Sequence, residues 1–141
     1  MNELEQPVAQ AIEGYTAAVR AKDVDAFVAL FADDVRVFDM WGRWTYDGLD
    51  AWRDMAEEWF GSLGDEQVAV EFDDVEAFVA GDTAVASAIL TFRGLSAAGE
   101  ELRSMQNRLT WALRRSGDGW KIVHEHTSAP LGEDAKAIFS R

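Results

Sequence analysis

The sequence predicts an α+β domain in which a curved antiparallel sheet packs over N-terminal helices, and three observations carry that prediction. Apolar residues recur every three to four positions in the first part of the chain and alternate in the last half, so helices come first and long strands last. Parallel βαβ units would instead interleave helix and strand throughout. Asp73-Asp74 interrupts the alternation of the first long strand, where a bulge lets a sheet bend over its helices. The 141 residues suffice for one core without crosslinks, which predicts a single domain over residues 1–130 and a loosely attached tail over 131–141.

Taken in order, Val8, Ala11, Ile12, Tyr15, Ala18 and Val19 form an amphipathic stripe that predicts a helix over residues 3–20. Lys22 breaks the stripe. Asp23 suits the N-cap of a second, short helix marked by Val24, Phe27, Leu30 and Phe31 and ending near Ala32, after which Asp33-Asp34 reads as a turn. Residues 35–39 alternate and are β-branched, predicting a strand that Met40-Trp41-Gly42 turns into a partner around Arg43 to Tyr46. Beyond Asp47-Gly48, the residues Leu49, Trp52, Met55, Ala56, Trp59, Phe60 and Leu63 set a third helix that stops at Gly61 and Gly64. The remainder is a meander of strands over 67–80, 82–93, 100–115 and 119–128, divided by glycine-bearing turns.

Composition narrows the function. With no cysteine, the chain has neither disulfides nor zinc–thiolate or iron–sulfur sites, which agrees with a cytoplasmic location. The first twenty residues open with acids and contain no unbroken apolar run, so neither a secretory signal nor a membrane span is expected. Acids outnumber bases 26 to 13, and a net charge of −13 repels nucleic-acid phosphates and anionic membranes, so neither is expected as a partner. No phosphate-cradling glycine loop, nucleophile elbow or dinucleotide fingerprint occurs, and no cofactor is expected. The H-x-H pair His124 and His126, even with Asp39, falls short of a full metal-ligand set, so no metal is expected.

Two stretches carry a family likeness. Tyr15 to Gly42, YTAAVRAKDVDAFVALFADDVRVFDMWG, resembles ketosteroid isomerase in its helix-one tyrosine, helix-start aspartates, F-A-D-D turn and strand-end aspartate. SMQNRLTWALRRSGDGWKIVHEHTSAP is similar to the ending of SnoaL-like proteins and of the calcium/calmodulin-dependent kinase II association domain. Together they place the chain beside the nuclear transport factor 2-like superfamily. The resemblance implies a cone-shaped barrel with an internal pocket, and puts Tyr15 at the oxyanion-hole tyrosine and Asp39 at the proton-shuttling base. The third member of that set, a protonated aspartic acid, falls on Thr110 here.

The remaining candidates follow from that frame. Asp39 ends a strand beside apolar Val37 and Phe38, so its carboxyl either opens into an apolar cavity as a proton shuttle or caps the next turn. Tyr15 points inward from its helical stripe, toward either a ligand oxygen or a protein partner. Period two groups His124, His126 and Ser128 with Trp120 and Ile122 on one strand face, taken to be concave, with His124 in a catalytic role and His126 and Ser128 binding ligand. Arg108 and Thr110 are placed on the cavity side by the association-domain likeness, with Arg108 meeting either a ligand anion or Asp39 or Glu125. Trp41, Tyr46, Trp52, Met55 and Trp59 surround the mouth and suit a flat, apolar or aromatic small molecule. Leu109, Trp111 and Leu113 then fall on the convex face, as a homodimer interface. The expected function is a cofactor-independent acid/base enzyme of isomerase, cyclase, dehydratase or hydrolase type. The alternative is a non-catalytic dimeric ligand-binding or assembly module using the same pocket.

Overall fold

The computed structural model describes residues 6–141. Helix α1 spans Gln6–Ala21, so residues 3–5 of the predicted first helix lie outside the described residues. Its stripe of Val8, Ala11, Tyr15, Ala18 and Val19 is buried as the periodicity requires. Lys22 leaves the helix at φ 54°, and its ammonium donates to the carbonyls of Gly64 and Glu66 at 2.7 and 2.8 Å. Asp23 caps α2, Val24–Val28, by accepting from the Ala26 amide at 3.0 Å.

Helix α2 is shorter than expected because Phe31 already belongs to a strand. β1 runs Phe31–Phe38 and includes Asp33-Asp34, the expected turn, at an irregularity in its pairing. Its hairpin partner β2 is only Tyr46–Asp47, leaving residues 39–45 as a loop rather than a tight turn. At Gly48, φ is 92° and the amide donates to the Val35 carbonyl at 2.8 Å, a conformation glycine supplies without a Cβ penalty. Helix α3, Leu49–Ser62, follows. β3 Gln67–Ala80, β4 Thr83–Leu95, β5 Glu101–Ser116 and β6 Gly119–Ser128 agree closely with the alternation.

The strands form one sheet in the order β2-β1-β6-β5-β4-β3, antiparallel throughout except for the parallel pair β1 and β6. β2 and β3 remain edges, so the expected barrel is an unclosed curved sheet whose hollow is completed by helices. The bulge at Asp73-Asp74 is present, as a register shift between Asp73 and Glu76 with Asp74 at φ 53°. Val19, Phe27, Val35, Val37, Leu90, Trp111 and Ile122 lie at the centre of the core. No helix of the described residues is long and apolar enough to cross a membrane.

Three expectations need correction. Leu109, Trp111 and Leu113 face the helices and are 2%, 0% and 1% exposed, so they form core rather than a convex interface. Alternation makes such an error total, because the parity assigned to one residue of a strand fixes all the others. In β6 the cause is a bulge: Leu113 pairs with Ile122 but Ala112 with His124, leaving Val123 as an extra residue. Beyond it the buried residues are Glu125 and Thr127, and His124, His126 and Ser128 turn outward with Arg108 and Thr110 of β5. Lastly, the tail is tied down. Leu131 bridges to Ala137, the Ile138 amide donates to the Pro130 carbonyl at 2.8 Å, and the Gln106 amide donates to the Phe139 carbonyl.

Candidate functional site

A cavity of about 640 Å³ opens between α1, α2, α3 and the concave sheet face. The apolar stripes of the helices project Tyr15, Phe27, Trp52, Met55 and Trp59 into it, and the sheet adds Phe92 and Met105. Trp41 and Tyr46, from the β1–β2 connection, form the rim. These rings support one another: Tyr15 lies 5.4 Å from Phe27 and 5.8 Å from Trp111, and Trp52 lies 5.2 Å from Tyr46. An apolar hollow of this size suits a flat small molecule.

Against those walls stand a few polar groups. Asp39 enters from the end of β1, where its carboxylate accepts from the Thr127 hydroxyl at 3.1 Å, and that hydroxyl accepts from the Met40 amide at 3.0 Å. Burial pushes the Asp39 carboxyl above the usual range, while Thr127 and the backbone amides of Trp41 and Met40 pull it back. Glu125 is 2% exposed, and one of its oxygens accepts from the Trp111 indole N–H at 2.9 Å. Burial raises its carboxyl to about 7, opposed by that hydrogen bond and assisted by the charge of Asp39. The Tyr15 phenol is pushed well up by burial and then by the charges of Glu125 and Asp39, which places all three groups in one electrostatic neighbourhood.

Two buried polar atoms on the wall, Trp52 Nε1 and Asn107 Oδ1, have no partner among the described residues, and the amide nitrogen of Asn107 reaches only the Met40 sulfur at 3.5 Å. At the mouth Arg103 binds Glu66 at 2.6 Å and lies across Gly94, where an added Cβ would come within 3.2 Å of its guanidinium carbon. Glycine is what lets this arginine lie flat.

Of the residues predicted for the site, Asp39, Tyr15, Trp41, Tyr46, Trp52, Met55 and Trp59 therefore share one wall. His124, His126, Arg108, Thr110 and Ser128 do not. His124 Nδ1 lies 2.7 Å from the Arg36 carbonyl, and its ring packs edge-on to Phe38, as does that of His126. Arg108 donates to Ser128 at 3.1 Å on the same outer face. Sequence reasoning missed Glu125, Asn107 and Thr127 as wall residues; alternation counted back from the end of β6 finds Glu125 and Thr127, and Asn107 shares the parity of Leu109 and Trp111 in β5.

The family model for the SnoaL-like domain matches residues 8–132. Among solved structures, an NTF2-like protein of unknown function from Pseudomonas putida is 30% identical, with a TM-score of 0.84 over 97% of this chain and 94% of its own. Aln2 from a Streptomyces species is 20% identical, with a TM-score of 0.80 over 91% of each chain. A candidate calcium/calmodulin dependent protein kinase II association domain from Xanthomonas campestris is 18% identical, with a TM-score of 0.72 over 92% of this chain and 89% of its own. A comparison with curated proteins gives no match. The two distant structures share the fold, and the match over residues 8–132 establishes the rest: this chain belongs to the SnoaL-like domain family.

Proposed function

We propose that the chain is a cofactor-independent acid/base enzyme that moves a proton on an apolar or aromatic carbonyl compound held in the cavity. The observation that carries this reading is the meeting of Asp39, Glu125 and Tyr15 in one largely apolar cavity, with both carboxyls pushed toward their acid forms. Environments that separate two carboxyls assign their roles. Asp39, which accepts from the Thr127 hydroxyl and is also pulled back by the Trp41 and Met40 amides, is the ionised partner, and Glu125 is the acid.

In the proposed step Asp39 takes a proton from the carbon beside the substrate carbonyl, and the electron pair of that C–H bond passes to the carbonyl oxygen. The Tyr15 hydroxyl and the protonated Glu125 donate hydrogen bonds to that developing oxyanion. Asp39 then returns the proton, at the same carbon or a conjugated one, so no co-reactant is consumed. Hydrogen–deuterium exchange beside the carbonyl of 1-tetralone, followed by NMR in D2O, tests the step without the natural substrate. The wild type should accelerate exchange, and Asp39→Asn should lose about a hundredfold or more of that acceleration while still binding. A ketone that binds without exchanging would reject catalysis and favour the ligand-holding module.

The reading includes a homodimer through the convex sheet face. There Phe78, paired with Val85, is 63% exposed, and it replaces the buried β5 residues first expected at the interface.

A further inference from the structure

Residues 131–141 do more than end the fold. After the turn in which the Gly132 amide donates to the Lys136 carbonyl, the segment runs back along the part of β5 that β6 does not cover. Gln106 clamps it there: its amide donates to the Phe139 carbonyl at 2.6 Å, its side-chain oxygen accepts from the Arg141 amide at 3.0 Å, and its side-chain nitrogen donates to Thr91 at 3.0 Å. The clamp fixes where the Phe139 ring goes. That ring stacks on Trp41, with centroids 5.5 Å apart and planes at 21°.

Trp41 lines the cavity and is 53% exposed, so it stands at the opening. Its loop, residues 39–45, is otherwise held near its two ends, by the Asp39 carboxylate and the Met40 amide on Thr127 and by the Thr45 hydroxyl on Asp47, while next to Trp41 the Arg43 amide donates to the Trp41 carbonyl and the indole itself rests on Phe139. A half-exposed indole on such a loop has several rotamers and loop positions open to it, and an aromatic stack selects one. We propose that residues 131–141 form a strap that positions Trp41 at the cavity opening, with Phe139 as the positioning residue, and that breaking the Trp41–Phe139 stack speeds passage in and out. The segment lies almost wholly beyond the part of the chain matched by the family model, residues 8–132. The passage half of the proposal rests on the reading of the cavity as a ligand site, whereas the positioning half does not.

Two measurements on the full chain separate them. In protein labelled with 5-fluorotryptophan, the Trp41 resonance is identified by its loss in Trp41→Phe. Phe139→Ala should shift that resonance in the unliganded protein and Phe139→Tyr should leave it in place. An unmoved resonance in Phe139→Ala overturns the strap. In stopped-flow mixing with Nile red, a flat neutral dye carrying a carbonyl, Phe139→Ala should raise both uptake and release by about two- to tenfold, the range an aromatic pair's contribution implies. Phe139→Tyr should restore the wild-type rates. A shifted resonance with unchanged rates overturns the control of passage and leaves a purely structural stack. Wild-type protein that takes up no Nile red overturns the ligand-site reading and the passage claim together, and the fluorine signal still decides the positioning.

Discussion

Glu125 is the residue on which the chemistry turns, and its burial leaves a signature in stability. An ordinary glutamate titrates near 4.5, and this one near 7 in the folded chain, so the folded state binds its proton more tightly than the unfolded state does. The sign follows: below pH 4.5 both states are protonated and burial carries no ionisation penalty, and as pH rises from 4.5 through 7 the unfolded state gains by ionising first. Above pH 7 the penalty is constant, on the order of 3 kcal/mol for a shift of that size. Glu125→Gln should therefore gain stability relative to wild type as pH rises from 4.5 to 8, read by urea unfolding at several pH values. A parallel pH dependence in both proteins would show that Glu125 ionises freely. Trp111→Phe removes the only opposing hydrogen bond named above, so it should move the Glu125 titration, followed by carboxyl carbon NMR, to higher pH.

Elements were legible wherever alternation or a helical stripe ran uninterrupted, and illegible where one extra residue intervened. The four long strands have nearly their predicted bounds because turn residues and polarity agree there. The expected face is reversed along β5 and, in β6, beyond Val123, whereas Trp120 and Ile122 lie toward the core as expected. In β6 the register slip at Val123 lies among apolar residues and has no compositional mark, whereas the β3 bulge is announced by Asp73-Asp74. Half the candidate site was legible for the same reason: Tyr15 and the helical aromatics follow an unbroken stripe, and Glu125 lies past the slip. The β3 bulge yields its own prediction. Asp74 holds φ 53°, a left-handed conformation that costs an L-residue about 1–2 kcal/mol and that aspartate tolerates better than most. Its exposed contact with Arg141, at 3.9 Å, contributes little in return. Asp74→Gly should keep the bulge and raise the unfolding midpoint, equivalent to about 0.5–1 kcal/mol. A fall in the midpoint would mean that the aspartate side chain, not the backbone, holds the bend.

At the scale of the whole molecule, the convex face carries its charge unevenly, and in the proposed homodimer that asymmetry favours one arrangement of the two copies. Along the β3 edge the outward residues include Glu71, Asp73 and Glu76, with Arg93 of β4 beside Glu71, and near the other edge they include Arg36, beside Asp47 of β2, with Arg108 in β5. Phe78 lies on the β3 edge itself, and next to it run the apolar or small residues Val85 and Ile89 of β4 and Ala112 of β5. A two-fold axis parallel to the strands brings the acidic edge of each copy over the side of the other that carries Arg36 and Arg108, whereas an axis across the strands would face acid on acid. Only the first offsets the mutual repulsion of two chains at −13 each. Sedimentation should thus find twice 15.7 kDa for the wild type and a single chain for Phe78→Asp, which places a further carboxylate beside Val85 in the apolar strip along the β3 edge. Arg36→Glu should weaken the dimer and Glu76→Arg should do the same, and the two changes combined should restore much of the affinity, because each reversed charge again meets its opposite across the axis. Additive losses in the double variant would reject the parallel axis even if the dimer itself is found.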